Sequence, residues 1–196
     1  MVDTDAYVPT PRTNQGPLTI GWIGSPSTWP NVRPLLPLLQ RMCDRHGVRV
    51  RAVGAGAEAE RDRFDGLDLV TWSEASEISD VQAMDIGIMP LLDLPFQRGK
   101  SGYKLIQYMA CGLPVVASPV GVNSEIVDPA NGLLATSEVE WEAALERLIA
   151  DPALRSSMGA AGRGRAVDAY SLASQAPRLV ELFQAIAGRA NLADGA

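Results

Sequence analysis

The chain has one histidine and two cysteines in 196 residues, and no apolar run approaches the length of a membrane-spanning helix. His46 falls at the predicted C-terminus of a helix, where partial positive charge is favoured, so it reads as a cap and not as the base of a catalytic triad. Cys43 and Cys111 lie far apart within apolar helical patterns, which excludes both a disulfide framework and a metal-ligand spacing. They read as reduced core residues of a cytosolic protein. The N-terminus lacks the hydrophobic core of a signal peptide. Positive charge is in deficit, with 17 Lys and Arg against 23 Asp and Glu and a net charge of −6, which argues against nucleic acid or an anionic membrane as a partner. These absences predict a soluble, cytoplasmic protein with no transmembrane segment and no metal. Two nucleotide fingerprints are missing as well. The turn Gly21-Trp-Ile-Gly24-Ser25-Pro26 is not G-x-G-x-x-G, and no acid ends the second strand, so a nicotinamide-dependent oxidoreductase is remote. No G-x-x-x-x-G-K-[ST] occurs, which excludes a P-loop.

What is present is 46% hydrophobic residues, ample for a core, in an alternating pattern. Residues 1–17 carry three prolines and no apolar period and are expected to form an extended lead-in. Strands are expected at Leu18–Gly24, Val48–Val53, Leu67–Trp72, Asp85–Leu91, Pro114–Ser118 and Gly132–Ala135. Helices are expected from about residues 31–33 to His46, in a segment ending near Met84, at about Ser101–Cys111, and opening near Gly121. Pro34 and Pro37 fit only in or near the first turn of the first of these. After the sixth strand the chain is helical. Trp141, Leu145, Leu148 and Ile149 share one helix face behind Ser137 as N-cap. Asp151–Pro152 breaks that helix, and two more follow over about Ala153–Tyr170 and Leu172–Gly188. The expected organisation is a lead-in (1–17), one Rossmann-like domain (18–189) and a frayed tail (190–196). Strands alternating with helices imply parallel pairing and right-handed crossovers. The fold class is therefore α/β, a doubly wound six-stranded parallel sheet, with its ligand beyond the carboxyl ends of the strands where their order reverses.

The candidate site concentrates in residues 85–126. Arg98, Lys100 and Lys104 place three cations within seven residues of an acidic chain, ahead of a helix whose free N–H groups add to their field. That combination favours a polyphosphate over three merely solvated side chains. Gly121, Val122 and Asn123 open the next helix, and their amides are donors for a second phosphate. Gly24 and Ser25 admit two readings, a tight turn that needs glycine or close backbone approach by a phosphate or sugar.

The run DIGIMPL…GKSGYKLIQYMACGLPVVASPVGVNSEIV…NGLLA resembles the donor-binding C-terminal half of family 4 (group 1) glycosyltransferases of the GT-B fold. GWIGSPST and the later W-x-x-A-L…DP-x-L-R-x-x-MG-x-AGR…YS extend the resemblance over roughly Leu18–Ala187. It implies a retaining, metal-independent hexosyl transfer from a UDP-, GDP- or ADP-sugar to an acceptor hydroxyl, with no cofactor. Lys100 and Lys104 would have the catalytic role of neutralising the leaving diphosphate, and Arg98 would assist. The family's E-x7-E motif falls at Gly99 and Gln107. Gln107 keeps a hydrogen bond to a ribose hydroxyl without the charge, and Gly99 replaces the acid that contacts the sugar. The arginine and lysine common in the first βα loop fall at Ser25 and Pro30. The base is expected beside Trp72–Ser73. Met1 would follow an interdomain linker, so the acceptor-binding N-terminal half would be missing or separate and the chain alone incomplete for catalysis. Apolar surface left exposed by that loss would support a homodimer. The competing reading is a non-catalytic nucleotide-binding or protein-interaction module built on the same fold.

Overall fold

Three short segments, buried throughout except at Thr19, sit at the middle of the molecule. They are β1 (Thr19–Ile23), β4 (Ile86–Met89) and β5 (Val115–Ala117). Strands apolar on both faces must be covered on both faces, and here helices supply both layers. The computed structural model describes residues 1–11 and 16–193. β2 (Arg49–Val53), β3 (Leu67–Val70) and β6 (Gly132–Leu134) complete a six-stranded sheet in the order β3-β2-β1-β4-β5-β6. All neighbouring strands are parallel. This is the expected doubly wound sheet, and its order reverses between β1 and β4.

On one face, α1 (Leu36–His46) and α6 (Glu138–Ala150) bury Leu38, Leu39, Met42, Trp141, Leu145 and Leu148 against Ile20, Val50, Ile86 and Val116. On the other face, α2 (Glu77–Gln82), α4 (Tyr103–Ala110) and α5 (Asn123–Ile126) bury Val81, Leu105, Met109 and Ile126 against Ile23, Val53, Met89 and Val115. Ser137 caps α6 with a reciprocal bond from Glu140, as its sequence position predicts. Asp151 caps α7 (Pro152–Arg165).

Three local differences have physical causes. The segment after β1 first forms two 3-10 turns (Pro26–Asn31 and Arg33–Leu35), so α1 starts only at Leu36. Pro30, Pro34 and Pro37 lack the N–H donors an earlier α-helical ladder would use. The basic loop contains a one-turn helix, α3 (Pro95–Arg98). α7 passes into a π turn (Ala166–Tyr170) before α8 (Leu172–Ala193), which continues beyond the expected end at Gly188. The expected lead-in and tail fall partly on residues 12–15 and 194–196, outside the described residues.

Where described, the lead-in is docked to the body. Val2 pairs in parallel with Ser171. Arg163 donates to the carbonyls of Thr4, Tyr7 and Ala110, and the Tyr7 ring is buried.

At the reversal, β1 and β4 pair only through Ile20↔Ile86 and Gly21↔Gly87. Beyond that point the buried Tyr108 hydroxyl takes over. It accepts from the Ile23 amide (2.9 Å) and donates to the Ile88 carbonyl (3.3 Å). A side chain from α4 thus supplies the bonds that the diverging strands no longer make to each other.

Candidate functional site

The register aligns Ile23 with Val53, and Val53 with Val70, so β1, β2 and β3 end level. The space beyond these ends, facing the first turn of α4, is a cleft of about 1070 Å³. Gly24, Ser25 and Pro26 line it from the first βα turn, Gly54 to Ala57 from β2, Thr71 and Trp72 from β3, and Lys100 to Lys104 from the basic loop. Glu77 of α2 and Gln107 of α4 complete the wall. A cleft at the reversal point of a parallel sheet is where this architecture binds ligands.

Of the residues singled out from sequence, Gly24, Ser25, Trp72, Lys100, Lys104 and Gln107 come together here. Lys104 extends over the Trp22 ring, 5.3 Å from its centroid, and burial with Lys100 beside it pushes its pKa down to about 8. Lys100 lies 4.9 Å from the centroid of the exposed Phe96 ring. Neither ammonium has a carboxylate partner among the described residues. Two cations held against aromatic rings without a counter-ion form a site for an anion.

Arg98, Gly121, Val122 and Asn123 are placed elsewhere. Arg98 makes a two-pronged pair with Asp93 (2.7 and 3.0 Å) on the surface, five residues away. Gly121 has φ 57° and its α-carbon faces the Arg98 carbonyl so closely that a side chain there would overlap it. The backbone of the basic loop therefore packs on the start of α5. Asn123 donates its amide side chain to the Ser118 carbonyl (3.0 Å). These residues shape the loop that carries Lys100 and Lys104 and do not line the cleft.

Sequence reading missed a polar cluster on the cleft wall. Glu77 Oε1 accepts from the Tyr7 hydroxyl and from Gln107 Nε2 (2.7 Å), and Oε2 accepts from Trp72 Nε1 (2.6 Å). Gln107 Nε2 also donates to the Tyr7 oxygen (2.9 Å). Burial and the Glu77 carboxylate raise the pKa of Tyr7. A usable signal was Tyr7 itself, an aromatic in an otherwise polar lead-in, with Glu77 five residues after Trp72.

His46 ends α1, 3.6 Å from Glu146. Cys43 and Cys111 are free and buried, and burial raises their pKa values to about 11 and about 12. Among the described residues, no three His, Cys, Asp or Glu side chains gather as metal ligands would. No helix of the described residues is long and apolar enough to cross a membrane.

A doubly wound sheet with a cleft at its reversal point is an α/β Rossmann-like domain of the kind found in GT-B enzymes. The chain belongs to the glycosyl transferases group 1, whose family profile matches residues 17–151. It is 31% identical over 140 residues to a D-inositol 3-phosphate glycosyltransferase of Pseudarthrobacter chlorophenolicus, covering 70% of this chain and 31% of that protein. It is 36% identical over 85 residues to a GDP-mannose-dependent monoacylated alpha-(1-6)-phosphatidylinositol monomannoside mannosyltransferase of Corynebacterium glutamicum, covering 42% of this chain and 22% of that protein. The matched stretches thus span under a third of the curated relatives. Among solved structures, the sucrose-phosphate synthase of Thermosynechococcus elongatus superposes with a TM-score of 0.77 at 19% identity, over 96% of this chain and 51% of that one. The C-terminal domain of a glycosyl transferase group 1 family protein from Francisella tularensis does so with a TM-score of 0.67 at 18% identity, over 88% of this chain and all of that one. Anabaena HepE in complex with UDP and glucose matches 93% of this chain and 55% of its own, with a TM-score of 0.77 at 16% identity.

Proposed function

We propose that this chain is the donor-binding half of a retaining, metal-independent hexosyltransferase, taking a nucleoside-diphosphate sugar and serving transfer to an acceptor hydroxyl. The observation that carries the reading is the cleft at the β1/β4 reversal, where Lys100 and Lys104 stand without counter-ions. The diphosphate lies against these ammonium groups, which stabilise the charge that develops as the sugar leaves. Gly24 and Ser25 allow backbone approach, the nucleoside extends towards Trp72, and Gln107 meets the ribose. The acceptor and the groups that orient it come from an acceptor-binding domain that these residues do not form. The chain by itself binds donor and turns over poorly.

Calorimetric titration with UDP, GDP and ADP tests this, alongside a Lys100→Ala/Lys104→Ala variant. Curated and solved relatives name GDP-mannose and UDP, so the base is left to the titration. Binding of one nucleotide that weakens in the double variant supports the donor site. No binding of any moves the alternative ahead, a module of this fold without catalysis. Gly99, Ser25 and Pro30 favour that alternative, because no acid or cation stands at those positions. Donor-sugar hydrolysis with the N-terminal half present separates the two. A cytoplasmic location and a homodimer are part of the proposal, the dimer resting on the exposed apolar side chains of α8.

A further inference from the structure

The chain has 17 basic side chains, and 15 of them are arginine. The two lysines are Lys100 and Lys104, and both line the cleft at the strand ends. Side-chain amines are thus confined to one cavity of about 1070 Å³. A guanidinium keeps its charge at any physiological pH, whereas an ε-amine can lose its proton and attack an electrophile. Lys104 lies half-buried in the first turn of α4, its nitrogen 5.3 Å from the centroid of the Trp22 ring. Lys100 sits on the preceding loop, over the exposed Phe96 ring at 4.9 Å. Both carboxylates on the cleft wall are engaged elsewhere, Glu60 by Arg63 and Glu77 by Tyr7, Gln107 and Trp72. Tyr103 is the remaining titratable group of the wall, and burial raises its pKa, so it brings no charge. Desolvation beside a second cation is a setting that makes an amine nucleophilic. With its pKa down at about 8, on the order of a hundredfold more of Lys104 is neutral near pH 7.5 than of an ordinary lysine.

We propose that Lys104 is a site of covalent acylation by acyl phosphates, which enter the cleft with their phosphate on Lys100, and that the amide so formed shuts the cleft to nucleotide. The neutral amine attacks the acyl carbon, and an N–C bond forms as the C–O bond to phosphate breaks. The bonding pair leaves on the phosphate oxygen, and the proton that the nitrogen sheds goes to the departing phosphate. The products are a neutral amide and inorganic phosphate, with no change of oxidation state. The Lys100 ammonium meets the charge that grows on the leaving phosphate. Acylation removes the Lys104 charge and puts an acyl group in its place. The reaction itself requires only the cleft and its two amines, and its effect on nucleotide rests on the donor-site reading above.

The test incubates the protein with acetyl phosphate at about pH 8 and follows each lysine by peptide mass spectrometry. Lys104 should be acetylated about tenfold faster than Lys100, and the difference should vanish in urea. Inorganic diphosphate, which competes for the cations, should slow the reaction at Lys104 several-fold, and so should Lys100→Ala. Equal rates at the two lysines in the folded protein overturn the site. A rate at Lys104 that neither diphosphate nor Lys100→Ala alters overturns the delivery by Lys100 and the proposal with it. Calorimetry with UDP, GDP and ADP then compares the acetylated protein with the untreated one. The nucleotide that the untreated protein binds should bind about tenfold more weakly after acetylation. Unchanged affinity overturns the switch and leaves the donor site standing. Absence of binding by the untreated protein is a failure of the donor-site reading and removes the switch, while the rates at the two lysines still decide whether Lys104 is the acylated amine.

Discussion

Lys104 holds its charge where the fold would stabilise a neutral group, and two expectations follow from the sign of that effect. Burial and Lys100 lower its pKa to about 8, so in the empty cleft it loses its proton as pH rises through that value. An anion bound beside it stabilises the charged form, and binding above pH 8 therefore takes up a proton. Nucleotide affinity should be flat from pH 6.5 to about 7.5 and roughly tenfold weaker at pH 9, as read by calorimetry. A constant affinity across that range would remove Lys104 from the site. For folding the sign is opposite. The folded-state pKa lies below the unfolded value, so the cost of the buried charge is fully present below pH 8 and fades between about 8 and 10.5. Lys104→Met should accordingly stabilise the protein by about 1–2 kcal/mol at pH 7, allowing for partial solvation and the lost contact with Trp22, and by less at pH 10. The same variant should bind nucleotide at least tenfold more weakly. Denaturant melts at the two pH values, with one titration, check both halves.

Among the elements, α4 has the most to do. Its first turn presents Lys104, its buried face fills the core with Leu105 and Met109, and Tyr108 bridges the diverging strands. Tyr108→Phe should cost about 1–3 kcal/mol, because it leaves the buried Ile23 N–H without a partner while changing little volume. It should also weaken nucleotide binding, since Ile23 and Gly24 form the cleft edge at that strand end. Urea denaturation and the titration used above measure the two effects. The docked lead-in makes a second expectation at this scale. Arg163→Ala strips donors from the carbonyls of Thr4, Tyr7 and Ala110. It should cost about 1–3 kcal/mol and speed hydrogen exchange at the Val2 and Tyr7 amides before the sheet is affected. The elements themselves were largely legible, because strand and helix periods alternate from Leu18 to Ala150 and are punctuated by Gly47, Gly112 and Asp151–Pro152. The site was legible only where it follows the chain. Lys100 and Lys104 belong to one loop, and both line the cleft. The Tyr7–Glu77–Gln107 cluster joins residues separated by 70 and 30 positions, which no local pattern encodes. Arg98, expected beside the two lysines, lies off the cleft lining for the converse reason. Its pairing with Asp93 depends on the turn of α3, and that single turn has no periodic signature.

For the whole molecule, the question is what covers α8. Val180, Leu182, Phe183 and Ile186 of this helix are each at least half exposed, with Leu172 and Leu179 close behind. A helix of 22 residues with so much apolar side chain in water is a surface for association. The sheet and cleft are complete without it, since the layers that bury β1 to β6 are supplied by α1, α2 and α4 to α7. Association through α8 should therefore be separable from donor binding. Light scattering across a concentration series should show a dimer, and Val180→Ser/Phe183→Ser should return it to a monomer with nucleotide affinity unchanged within about twofold. A monomeric mass at the highest concentration removes the homodimer. A loss of nucleotide affinity in step with the dimer would instead mean that a second copy completes the cleft. Adding an acceptor-binding half, which the proposed function calls for, gives a further discrimination, since a half that binds at α8 should compete with the dimer. Under those conditions the donor sugar should begin to be hydrolysed or transferred, and the Lys100→Ala/Lys104→Ala variant should abolish that turnover without preventing the two halves from associating.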